Sequence, residues 1–110
     1  MRNGLYKAHF GIEGITHLAI VSVRDGIIIG ADVTHLITGS YQRKGNRFKG
    51  RIVLDRHCHR DDVPEIAYLD HIEADFEGVG GHSFGEFTAD VAEKKGLKVK
   101  ASFQWISGVG

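Results

Sequence analysis

The chain has 110 residues, enough for one domain with a modest core and too few for two independently packed ones. Lys+Arg 14 against Asp+Glu 14 leaves a formal net charge of +0, which argues against direct nucleic-acid binding or an anionic membrane surface, both of which favour a basic excess. The opening MRNGLYKAHF lacks the apolar core of a signal peptide, no apolar run approaches the roughly 20 residues of a membrane helix, and a single cysteine rules out an internal disulfide. The expectation is therefore one domain over residues 1–110, cytoplasmic.

Fifteen glycines against one proline make a chain that turns often, because glycine takes φ > 0 cheaply. Between the glycines lie short segments that alternate apolar and polar residues, the period of a half-buried strand. In chain order, strands are expected over 4–10, 16–24, 26–31 and 37–43. Asp25-Gly26 is a hairpin signal, and Lys44-Gly45-Asn46 marks the next turn. A fifth strand places Phe48, Gly50, Ile52, Leu54 and Cys58 on one face and Lys49, Arg51, Asp55, His57 and His59 on the other. Arg56 falls on the apolar face, so the phase is expected to slip near that end. Residues 60–69, around Pro64, read as a long loop. A sixth strand sets Ile72, Ala74 and Phe76 against His71, Glu73, Asp75 and Glu77, and Gly78-Val79-Gly80-Gly81 reads as a flexible hairpin connection. Residues 84–92 fit a strand, with a helical turn as the alternative. After Lys94-Lys95-Gly96, Leu97, Val99, Ala101, Phe103 and Trp105 oppose Lys98, Lys100, Ser102 and Gln104 in a last strand. Seven or eight short antiparallel strands at this spacing describe an all-β small barrel or sandwich, and closing the sheet would remove its aggregation-prone edges.

The densest chemistry is Arg56-His57-Cys58-His59-Arg60. If the 60–69 loop closes a hairpin, His57 and His59 share an outer face with His71, Glu73 and Asp75 on the next strand. Three imidazoles so placed can hold zinc with one position open for water. The simpler reading, and the favoured one, is a solvated face in which Lys49 and Arg51 pair with the acidic residues across the strands. No metal or other cofactor is therefore expected. Cys58 is expected to be buried and inert rather than nucleophilic. The second motif of a cupin, the Gly-x-Ser-x-Gly elbow and the lysine of a phosphate loop are absent.

The apolar face offers a second candidate site. Tyr6, Phe10, Phe48, Ile52, Phe76, Phe87, Phe103 and Trp105 point inward by phase and supply enough aromatic volume to fill a small barrel. Small residues at Ala8, Gly50, Ala74, Ala89 and Ala101 leave gaps among them. A packed core and a cavity for a small apolar ligand both remain open, the packed core being the default.

Asn3-Gly4-Leu5-Tyr6, the run Gly26-Ile27-Ile28-Ile29-Gly30-Ala31-Asp32 followed by Gly39-Ser40-Tyr41, and His57-Cys58-His59-Arg60 occur in an order that resembles the GrlR-type negative regulators of bacterial type III secretion. The resemblance covers Asn3 to about His59 by motif and the remainder by strand pattern. It implies an eight-stranded, up-and-down, lipocalin-like barrel that forms a homodimer, has no catalytic activity, and sequesters another protein, a transcriptional activator. Where that family presents an acidic partner-binding loop, this chain has Arg43-Lys44-Gly45-Asn46, a basic turn. The function expected is thus a non-enzymatic, protein-binding regulator. The alternatives are a carrier of a small apolar ligand and a surface zinc site on His57, His59 and His71.

Overall fold

The computed structural model describes residues 1–12, 14–58 and 70–108. They form eight strands: β1 (Gly4–Ile12), β2 (Ile15–Arg24), β3 (Ile27–Ala31), β4 (His35–Lys44), β5 (Arg47–Arg56), β6 (His71–Gly80), β7 (Phe84–Val91) and β8 (Lys98–Ser107). Each strand pairs antiparallel with the next, and β1 closes onto β8 from Leu5↔Ser107 to Gly11↔Lys100, with a register shift between Leu5 and Tyr6. The result is a closed up-and-down barrel, so every strand has two neighbours and no edge is left unpaired. The described residues contain no helix long and apolar enough to cross a membrane.

The turns follow from their residues. Asp25 and Gly26 both take positive φ, 50° and 81°, the pair of left-handed conformations that a tight two-residue hairpin needs to match strand twist. Asn3 locks this turn from outside: its Oδ1 accepts from the Asp25 N–H at 2.9 Å while its Nδ2 donates to Asp25 Oδ1 at 3.2 Å. At the β3–β4 connection, Asp32 Oδ1 accepts from the backbone N–H of Thr34 (2.8 Å) and of His35 (2.6 Å), so the side chain supplies acceptors the turn backbone lacks.

Two expectations need correction. The fifth strand ends at Arg56 rather than continuing through the histidines. His57 instead donates its backbone N–H to Thr34 O at 2.8 Å, because the chain there leaves β6 and follows the β3–β4 connection. His59 and the expected 60–69 loop lie outside the described residues. Gly78, Val79 and Gly80 are not a hairpin connection but the end of β6, opposite Phe87, Glu86 and Gly85. Glycine suits this place because a Cβ on Gly78 would stand 2.0 Å from Glu86 O and 2.8 Å from Phe87 Cδ1. Without one, the Phe87 ring lies over the facing backbone. Residues 84–91 are strand, as expected, with Phe87 and Val91 buried on the inward phase, so the helical-turn alternative falls away.

The interior divides into two ends. At the end of the β2–β3 and β4–β5 hairpins, Tyr6, Val23 and Phe48 are buried and packed with the partly buried Met1, Tyr41 and Trp105. Phe48 meets Tyr41 and Phe87 edge-on, with ring centroids 5.2 Å and 6.0 Å away, and Phe87 meets Phe76 and Phe103 at 5.4 Å and 5.3 Å. Edge-to-face contacts of this kind suit the ring quadrupoles. This aromatic layer crosses the middle of the barrel as a floor. At the opposite end the inward residues are smaller.

Candidate functional site

Above the aromatic floor the barrel holds a cavity of about 80 Å³ with no polar atoms on its surface. Phe76, Phe87 and Phe103 form its base, and Ala8, Ala74, Ala89 and Ala101 are the walls that leave it empty. Four of the five small residues expected to create gaps thus line one void. Gly50, the fifth, does not: a Cβ there would lie 2.1 Å from Ser40 O and 2.9 Å from Phe76 Cζ, so neighbouring atoms already occupy that space. Among the residues read as candidates for an interior site, Phe10, Ile52, Phe76 and Phe103 line the cavity. Tyr6, Phe48 and Trp105 instead fill the far end of the barrel.

Their polar atoms explain that separation. The Tyr6 hydroxyl donates to Arg2 O at 2.5 Å, and burial pushes its pKa up to about 12. Trp105 lies beneath the Arg2 guanidinium, 3.4 Å from the ring centroid, a cation–π contact at the barrel rim.

Polar groups return where the cavity nears its own end. One inward step beyond Ile37 on β4 comes His35, fully buried, with Nδ1 2.8 Å from the Thr34 hydroxyl. One inward step beyond Leu54 on β5 comes Arg56, whose side chain is 6% exposed and whose Nε donates to Asp70 at 2.7 Å. His17 stacks on Phe10 at 5.5 Å, and burial pushes its pKa below the usual histidine value, partly offset by the nearby Asp32 carboxylate. These groups form a polar collar, in which His35 pairs with Thr34 and Arg56 Nε with Asp70.

A different feature occupies the outside of β2, β3 and β4. Registers set Ile20, Ala31 and Leu36 in one row and Ser22, Ile29, Thr38 and Val53 in the next. Leu18 and Val33 extend the patch. Ile29 is 59% exposed, Leu18 53% and Leu36 51%. Isolated exposed apolar residues are ordinary, whereas adjoining ones make this wall a candidate surface; Lys7 and Asp55 flank its first row. The sequence reading did not single out this wall. Its signal was Ile27-Ile28-Ile29, where alternation fails and isoleucine takes both faces of one strand, the pattern of a strand covered on both sides.

Of the three candidate ligands, the described His57 and His71 engage different partners, and His59 lies outside the described residues. His57 places Nε2 3.2 Å from Asp32 O, toward the β3–β4 connection. His71 Nδ1 lies 2.5 Å from Asp55 Oδ1 and its Nε2 3.3 Å from Glu73 Oε2. The cross-strand pairing anticipated on this face is present: Arg51 on β5 donates to Asp75 (3.1 Å) and Glu73 (3.2 Å) on β6. His71, Glu73 and Glu93 bring donor atoms within 4.8 Å of one another on this exposed face. Hydrogen bonds to Asp55 and Glu73 raise the His71 pKa, and a retained proton opposes metal ligation. The geometry is that of a charge-pair cluster. The basic turn Arg43-Lys44-Gly45-Asn46 is the exposed tip of the β4–β5 hairpin, with Gly45 at φ 66°. Arg47 beside it and Lys49 farther along β5 extend its positive charge. No family model matches the chain, and no curated protein matches it.

Proposed function

We propose that this protein is a non-enzymatic, cytoplasmic regulatory module that works by binding other polypeptides, and that its first partner is a second copy of itself. The exposed apolar wall on β2, β3 and β4 carries this reading. A second copy suits the wall for two reasons. A two-fold axis through it sets apolar residues against apolar residues, the self-complementary arrangement of most homodimers. The net charge of +0 adds no overall repulsion between copies near neutral pH.

The resemblance to regulators that sequester a transcriptional activator supplies the second partner. The Arg43-Lys44-Gly45-Asn46 tip suits an acidic segment on such a protein, since clustered exposed cations steer an oppositely charged partner. The reading is tested by measuring mass in solution with light scattering over a dilution series. A dimer that persists to low micromolar concentration is the expected result. A monomer throughout overturns self-association through the wall.

A further inference from the structure

We infer that the cavity above the aromatic floor is a binding site for a small, uncharged, apolar molecule, a site separate from the polypeptide-binding surfaces. The void does not arise from an irregular break in packing. Alanine lines it from four adjoining strands, with Ala8 on β1, Ala101 on β8, Ala89 on β7 and Ala74 on β6, each offset by two residues from the position opposite its neighbour. Larger aliphatic residues, such as Ile37, Ile52 and Ile72, line the same space. One or two leucines in place of the alanines would fill it, as interiors normally are filled to crystal-like density.

The lining fixes the chemical class of the ligand. No polar atom faces the void, so a buried hydroxyl, amide or charge on the ligand would lose its water without a replacement hydrogen bond. The same reasoning disfavours water as the resident, since a buried water needs two to four polar partners. His35 is engaged with Thr34, Arg56 with Asp70, and His17 is biased toward its neutral form by burial. Size bounds the ligand as well: about 80 Å³ is smaller than the roughly 150 Å³ engineered apolar cavities that admit benzene or xenon. A short aliphatic segment of a few carbons fits these limits, with any polar end left at the collar.

The test is methyl NMR on the full chain, because its isoleucines report both sides of the barrel wall. Ile37, Ile52 and Ile72 line the cavity, whereas Ile27 and Ile29 are exposed outside. Xenon and then a series of short primary alcohols are titrated, with the matching carboxylates as a separate arm. The expected result is that the cavity isoleucines shift and the outer ones do not. Alcohol affinity should rise about fourfold for each methylene that enters and then level off when the void is full. Ala74→Leu and Ala101→Leu should each weaken binding at least tenfold. Shifts confined to Ile27 and Ile29 would reassign the effect to the outer wall and overturn the proposal. Xenon entry without a response to any alcohol would reduce the cavity to a packing void. Tighter binding of carboxylates than alcohols would overturn the uncharged class. Should a filled variant not fold, the methyl map and the length series on the native chain still decide the matter, and neither depends on whether the protein is a dimer.

Discussion

His71 on β6 and Asp55 on β5 face each other directly across the strand pair, with Nδ1 2.5 Å from the carboxylate, while Glu73 approaches the other ring nitrogen at 3.3 Å. The hydrogen bond to Asp55 is the first cause of a raised His71 pKa and that to Glu73 the second. A histidine whose folded pKa exceeds its unfolded value of about 6.5 stabilises the fold fully below that pH. The contribution disappears as pH rises through the folded value. His17 acts oppositely, since burial lowers its pKa and stability is lost as pH falls below about 6.5. The expected outcome is that His71→Gln lowers the urea midpoint near pH 6 and has little effect near pH 9. An NMR titration placing the His71 ring at or below the ordinary histidine pKa would remove the basis for this.

Gly78→Ala is expected to destabilise the barrel by about 1–3 kcal/mol, the usual cost of forcing extra volume into a packed site. Its Cβ would meet Glu86 O at 2.0 Å, and backbone cannot turn aside as a flexible side chain can. Gly11→Ala is the contrast, because nothing lies within 4 Å of its Cβ position. Removing a strand glycine's excess unfolded-state entropy there should stabilise by up to about 0.5–1 kcal/mol. Urea unfolding of the pair checks both signs, and equal losses would show that crowding is not what selects glycine at position 78.

Asp32→Ala should cost about 1.5–3 kcal/mol, the range for hydrogen bonds to a charged acceptor. One carboxylate oxygen serves the N–H groups of both Thr34 and His35, and Thr34 and His35 are themselves buried. Asp32→Asn retains an oxygen acceptor and should lose clearly less. If the two variants unfold at the same denaturant concentration, the turn does not depend on this side chain.

Ile29→Lys and Leu36→Lys each place a charge in the centre of the outer wall without touching the interior, because both side chains point outward. Light scattering should report monomers for both, with far-UV circular dichroism unchanged. A dimer that survives both substitutions would place the self-contact elsewhere on the barrel.

The sequence by itself determined the strands and their faces. Period-two alternation assigns β5, β6 and β8 and their inward residues, because a pleat sends successive side chains to opposite sides. Asp25-Gly26 likewise determines a tight turn through its backbone preferences. The small residues that line the void were also visible as a group. What sequence could not supply is everything that depends on neighbours across the barrel. Gly78 to Gly80 read as a loop, since glycine is locally permissive, and only Glu86 and Phe87 on the facing strand make it a requirement. His57 was misplaced for the same reason: shared phase does not fix direction once a strand ends, and the chain after Arg56 turns toward Thr34. Gly50 and Ala74 looked equivalent as gaps, yet closure of the sheet fills one place with Phe76 and leaves the other facing empty space. The outer wall, too, became a surface only when register brought Ile20, Ile29 and Leu36 together on adjoining strands. Local periodicity is a property of a segment, whereas a cavity or a wall is a sum over strands that only closure of the barrel brings side by side.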